Sequence, residues 1–267
     1  MKSIKELMNL KGRAALVTGG GGYIGGAICD TLAELGADVA VVDKLDEPCR
    51  ATAERLTADY GVEALALVVD LTNESETRSV CDRVVAGLGR LDILVNCAAF
   101  TGDADLEGWV GPFETQSPDT WRKALEINLT VPFVLTQSCS EALSRSGNGA
   151  VINISSIYGM AGPDLSLYEG TERGNPAAYG ASKGGLLQLT RWLATVMAPA
   201  ARVNAITPGG IERGQGEPFR SRYEARTPLG RLGTEEEIKG AAAYLASDLS
   251  AYVTGHNLIV DGGWTVW

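Results

Sequence analysis

The chain has 267 residues, 45% hydrophobic and 21% charged. That composition excludes a disordered, collagen-like or coiled-coil protein and leaves ample apolar surface for a core. With 23 Lys and Arg against 33 Asp and Glu the net charge is -10, which disfavours nucleic acid, anionic membranes and acidic carrier proteins as partners. Taken in chain order, apolar runs rich in Val, Ile, Leu and Ala at Ala14 to Val17, Val39 to Val42, Leu65 to Val69, Ile93 to Val95, Val151 to Ile154, Val203 to Ile206 and Leu258 to Val260 predict buried strands. Amphipathic stretches lie between them, with helix-start signals at Asn73 and Glu76, Ser117 and Pro118, and Thr234 and Glu237.

This alternation implies parallel strands joined by right-handed crossovers, because such a sheet needs both faces covered. The expected architecture is α/β: a single doubly wound Rossmann domain over residues 1–267, with a seven-stranded parallel sheet and helices on both faces. Three polar segments break the alternation: Phe100 to Gln116, Pro163 to Pro176, and Gly209 to Gly233. Each follows a strand at its carboxyl end, where ligands sit in open α/β sheets. Residues 100–116 and 163–176 are therefore expected to wall a substrate pocket, and 209–233 to form its lid. Cys29, Cys49, Cys81, Cys97 and Cys139 form no Cys-x-x-Cys pair, and His256 is the lone histidine. This pattern suits a reducing cytoplasm and offers no metal site; no apolar run is long enough to span a membrane.

The first strand runs into Thr18-Gly19-Gly20-Gly21-Gly22-Tyr23-Ile24-Gly25. Glycines there permit positive φ, close approach of the backbone to a pyrophosphate, and tight packing of the following helix, whose N-terminus supplies amide donors. Asp43 ends the second strand at the spacing expected of a carboxylate that binds the adenosine ribose hydroxyls. A carboxylate there repels a 2′-phosphate, so NAD is favoured over NADP, with the adjacent Lys44 arguing the other way.

Tyr179 and Lys183 stand one helical turn apart near the start of the stretch Ala177 to Met197, and follow Ser155-Ser156 at the end of a strand. With these residues the chain resembles the short-chain dehydrogenase/reductase family from Leu10 to Gly263. The resemblance also rests on Asp70 after the third strand, Asn96-Cys97-Ala98-Ala99, Asn128 in Glu126-Ile127-Asn128-Leu129, Asn204, Pro208-Gly209 and Val260-Asp261-Gly262-Gly263. It implies that Tyr179 is the general acid/base, that Ser156 orients the substrate oxygen, and that Lys183 binds the nicotinamide ribose and lowers the tyrosine pKa. Asn128 would hold a relay water. The implied cofactor-binding set is Thr18, Gly19, Gly22, Tyr23, Ile24, Asp43, Asp70, Leu71, Asn96, Ala98, Tyr179, Lys183, Pro208, Gly209 and Ile211. A homodimer or homotetramer is implied too, and the apolar tail Trp264, Val266 and Trp267 fits burial at its interface.

The chain departs from the family pattern in places. Tyr23 stands where the usual turn has its middle glycine, giving a spacing closer to nucleotide-sugar epimerases and dehydratases. Gly22 replaces a basic residue common in NADP-preferring members. Ser156 and Tyr179 are further apart than usual, the excess lying in 163–176. The inserts carry Asp103, Asp105, Glu107, Glu114, Glu169, Glu172 and Arg173 with Trp109, Phe113 and Tyr168, and they predict a hydroxyl-rich substrate. Arg213, Arg220, Arg222, Arg226 and Arg231 in the lid offer a partner for phosphate or carboxylate. The expected activity is hydride transfer at a hydroxyl or keto carbon of a sugar, sugar derivative or polyol. The stretch Phe100 to Asn128 has a weaker resemblance to bacterial surface-sugar and flagellin-glycan dehydrogenases. The competing readings are an NAD-retaining epimerase or dehydratase and a non-catalytic dinucleotide-binding protein.

Overall fold

The computed structural model describes residues 1–101 and 106–267. After a short helix α1 (Ile4–Met8), strands and helices alternate as β1 (Ala14–Thr18), α2 (Tyr23–Glu34), β2 (Asp38–Asp43), α3 (Asp46–Tyr60), β3 (Ala64–Val68), α4 (Glu74–Leu88) and β4 (Ile93–Asn96). The second half runs α5 (Pro118–Leu125), α6 (Val131–Arg145), β5 (Gly149–Ile154), α7 (Ala177–Met197), β6 (Ala201–Pro208), α8 (Phe219–Arg226), α9 (Glu236–Ala246) and β7 (Asn257–Val260). The seven strands pair in the order β3-β2-β1-β4-β5-β6-β7, all parallel. The order reverses between β1 and β4, which opens a crevice beyond their carboxyl ends.

Each central strand is buried along nearly all of its length because it feeds two cores. Ala15 and Val17 of β1, with Val39 and Val41 of β2, pack under α2, α3 and α9. Leu16, Ala40 and Val42 face the other side, under α4, α6 and α7. The helix boundaries follow local chemistry. Asn73 caps α4 by accepting the amides of Ser75 and Glu76, and Gly89 ends it at φ 78°; Ser117 caps α5, with Pro118 in the first turn.

At Thr234 the expected cap is realised only in part. Helix α9 starts at Glu236, and it is the Glu237 carboxylate that reaches back to accept from the amide and hydroxyl of Thr234. The tail also differs from expectation. Trp264 is buried inside its own chain, stacked on Tyr223 at 6.0 Å and covered by the Arg226 guanidinium at 5.3 Å, so an interface between subunits does not account for its burial. Val266 and Trp267 are exposed. Among the described residues no helix is long and apolar enough to cross a membrane.

Candidate active site

A cavity of about 1270 Å³ opens over the β1/β4 crevice. One end is built on the glycine turn. Gly19 holds φ 67°, and a Cβ at Gly25 would stand 2.0 Å from the Gly19 carbonyl oxygen, so the helix rests directly on the turn. Gly22 caps α2 without a side chain, leaving the first-turn amides as donors toward the cavity end where Gly19, Gly22, Tyr23 and Ile24 line the wall. Asp43 lines the same end and accepts the amides of Gly21 and Leu45, each at 3.1 Å. Asp70 accepts the amide and hydroxyl of Thr72, which hold its carboxyl below the usual range. Leu71, Ala98, Pro208, Gly209 and Ile211 complete this wall.

At the other end α7 presents Tyr179 and Lys183 from one face, opposite Ser156 at the end of β5. Lys183 is 2% exposed and its Nζ donates to the Ile154 carbonyl at 2.9 Å; burial lowers its pKa to about 8. Its ammonium stands 5.9 Å from the Tyr179 ring centroid. The expected lowering of the Tyr179 pKa is not what this geometry gives. Burial pushes the phenol above its ordinary value, opposed by a hydrogen bond with Ser156.

Asn128 is fully buried in a π turn, Glu126–Thr130, between α5 and α6. Its Oδ1 accepts the Phe100 amide at 2.7 Å, and its Nδ2 donates to the Phe100 carbonyl at 3.1 Å and to Ser182 Oγ at 3.0 Å. It does not line the cavity, and neither do Thr18 and Asn96. Thr18 Oγ1 accepts the amides of Cys97 and Ala98, joining the ends of β1 and β4. Asn96 Nδ2 donates to Asn153 Oδ1 at 2.8 Å, joining β4 to β5. These three are struts beneath the wall; motif order alone does not separate a strut from a contact.

The inserts meet the expectation in part: Phe100 and Thr101 of 100–116 and Gly209, Ile211, Arg213 and Gln215 of 209–233 line the cavity. Asp103 and Asp105 lie outside the described residues. Glu107, Glu114, Glu169, Glu172 and Arg173 are exposed and line no part of the cavity. Trp109 is 2% exposed, its Nε1 donating to the Thr101 carbonyl and its ring edge-on to Phe100 at 4.9 Å. It is a core residue of its own segment. No residue of 163–176 lines the cavity; Tyr168 instead bonds the Tyr158 hydroxyl at 2.7 Å and packs on Phe219 of α8. Of the lid arginines only Arg213 reaches the wall. Arg220, Arg226 and Arg231 pair with carboxylates, and Arg222 donates to backbone carbonyls. Arg122 and Lys123 also line the wall and lie outside every motif and insert legible in the sequence.

A glycine cradle on a helix N-terminus at the switch point, facing a tyrosine, lysine and serine across one cavity, defines a dinucleotide-dependent oxidoreductase of the Rossmann class. The comparisons carry this further. A family model described as enoyl-(acyl carrier protein) reductase matches residues 22–265. The 3-oxoacyl-(acyl-carrier-protein) reductase of Aquifex aeolicus is 32% identical over 96% of this chain and 98% of its own length. Sorbose reductase of Candida albicans is 32% identical over 98% and 90%. A gluconate 5-dehydrogenase from Burkholderia cenocepacia, solved with NADP and tartrate, superposes with a TM-score of 0.87 at 31% identity, covering 99% of this chain and 100% of that one. The chain belongs to the short-chain dehydrogenase/reductase family. It is an oxidoreductase that moves a hydride between a nicotinamide cofactor and a hydroxyl or keto carbon of a small molecule.

Proposed function

We propose that Tyr179 is the general acid/base of this reaction, with Ser156, Lys183 and Asn128 in support. The observation that carries the reading is the convergence of Tyr179, Ser156 and Lys183 on one end of the cavity whose other end is the glycine cradle. The cradle fits a dinucleotide, since no side chain caps the first-turn amides of α2 and Gly19, Gly22, Tyr23 and Ile24 there line the cavity. A dinucleotide held by the cradle would supply or accept the hydride through its nicotinamide. In reduction the Tyr179 hydroxyl gives its proton to the substrate oxygen, and Ser156 Oγ donates a hydrogen bond to the same atom. Burial keeps Tyr179 protonated at neutral pH, which poises the site for reduction there and makes oxidation improve as pH rises. Lys183 is placed to hold a ribose hydroxyl. Asn128, with its carboxamide bound to Phe100 and Ser182, acts as a positioning residue that fixes the wall against α7; this replaces the relay-water role expected of its side chain.

NAD is the proposed cofactor because the Asp43 carboxylate stands at the wall. Lys44 on the same wall and the NADP-bound neighbour argue for NADP, so the affinities for both decide the point. The proposed substrate is hydroxyl-rich, a sugar, sugar acid or polyol. The sorbose and gluconate relatives support this, as do Thr101, Arg122, Lys123 and Glu126 lining the cavity. A net charge of -10 disfavours an acidic acyl carrier. The proposed body is a single domain of residues 1–267 acting in the cytoplasm as a homodimer or homotetramer, with Trp121 and Trp192 exposed on α5 and α7 in support. The test is a screen of sugars, polyols, keto acids and acyl thioesters, followed at the nicotinamide absorbance in both directions. Turnover on a polyhydroxy compound supports the reading; turnover confined to acyl thioesters overturns the substrate class. Product isomerised without net change in the cofactor's redox state favours the epimerase alternative.

A further inference from the structure

The glycine turn and the lid meet at one contact. Tyr23, the first residue of α2, is 71% exposed, and the guanidinium of Arg213 lies over its ring with the central carbon 4.2 Å from the centroid. Both residues line the cavity at its glycine-turn end. Arg213 is carried on a braced strap: Ile211 bridges Gly233, the Glu212 amide donates to the Gly233 carbonyl at 2.8 Å, and the Gln215 carboxamide binds both the Arg213 amide and the Ile211 carbonyl at 2.7 Å. Nη1 of Arg213 is engaged by the Glu212 carbonyl and the Glu235 carboxylate. Among the described residues its Nε and Nη2 have no hydrogen-bond partner. A guanidinium with unspent donors is thus held beside the uncapped N-terminus of a 12-residue helix, in a turn where Gly22 supplies no cation of its own.

We propose that Arg213 is the cationic ligand of the cofactor's pyrophosphate: stacked on Tyr23, it donates to a phosphate oxygen held by the α2 amides and latches the 209–233 strap over the dinucleotide. The inference rests on the dinucleotide reading above. Planar stacking fixes the fork of donors, which a lysine in the same place would not do.

Isothermal titration of the purified protein with NAD, NADP and ADP-ribose tests it without reference to turnover. Arg213→Gln should weaken all three by roughly 10- to 100-fold, the range for a charged hydrogen bond, with Arg213→Lys in between and Tyr23→Leu weaker than wild type. Glu235→Gln separates the roles. If Arg213 acts only by pairing with Glu235 to brace the strap, Glu235→Gln reproduces the loss. If it binds phosphate, Glu235→Gln keeps or tightens affinity, because the guanidinium is released to the ligand. Unchanged affinities in Arg213→Gln overturn the proposal, as does a loss confined to NADP, which would put the guanidinium on the 2′-phosphate. Absence of dinucleotide binding by the wild type would instead overturn the function proposed above.

Discussion

Two adjacent glycines in α2, Gly25 and Gly26, should respond to alanine with opposite signs. A Cβ at Gly25 would lie 2.0 Å from the Gly19 carbonyl oxygen, 2.7 Å from its carbonyl carbon and 3.1 Å from Gly20 Cα. All three are backbone atoms of the cofactor turn, so no side-chain rotation relieves the clash and the turn itself must move. At Gly26 the nearest atom to an added Cβ is the Gly20 carbonyl oxygen at 3.7 Å, an ordinary contact. Overpacking of the first kind costs about 1–3 kcal/mol. Replacing a helical glycine by alanine without strain gains about 0.4–1 kcal/mol, chiefly by restricting the unfolded chain. For a chain of this size a change of 1 kcal/mol moves Tm by about 2–4 °C. Gly25→Ala is therefore expected to melt several degrees below wild type and to lose NAD affinity tenfold or more. Gly26→Ala should melt slightly above wild type and bind NAD as before. Thermal unfolding with and without NAD reads both effects. Equal shifts of one sign, or a Gly25→Ala protein with native affinity, would refute the idea that the helix seats on the turn through Gly25.

Other positions give further expectations. Lys183, with its folded pKa lowered to about 8 by burial against an ordinary 10.5, binds fewer protons when folded than when unfolded between those values. The charge-burial penalty is thus fully present below about 8 and is relieved as pH rises toward the unfolded value, an effect of order 3 kcal/mol. Unfolding of wild type and Lys183→Met at pH 7 and 10 should show wild type gaining on the variant at the higher pH, and a constant difference would contradict the assigned burial. Asn128→Ala strands the amide and carbonyl of Phe100, and should cost about 1–3 kcal/mol in denaturant unfolding while lowering kcat. Trp264→Ala removes a side chain packed against Tyr223 and Arg226, and should lose about 3–5 kcal/mol in the same assay.

The sheet is legible because parallel strands buried on both faces are mostly apolar, and β1, β2, β4, β5 and β6 are, with Asn96, Asn153, Arg202 and Asn204 as buried polar exceptions. The glycine turn and the Tyr179 and Lys183 pair could be read because each is local, one set by backbone geometry and the other by a single helical turn. Less was visible where chemistry depends on residues far apart. Whether Asn96 touches a ligand or braces β4 turns on Asn153, 57 positions away. The carboxylates of the inserts promised a polar pocket, but polarity in a loop describes solvent as readily as substrate, and the described ones face outward. The sign of the Tyr179 shift is not legible in spacing either: one helical turn places a cation nearby, whereas the desolvation that raises the phenol depends on what packs around it.

The most direct test of the central claim is the turnover of Tyr179→Phe beside wild type, on whichever substrate the screen identifies, with NAD affinity measured on the same samples. Loss of the phenol proton should lower turnover by roughly 10²- to 10⁴-fold and leave NAD affinity within about twofold of wild type, since only a hydroxyl at the substrate end is removed. A phenylalanine variant that turns over at the wild-type rate would contradict Tyr179 as the proton-transfer group.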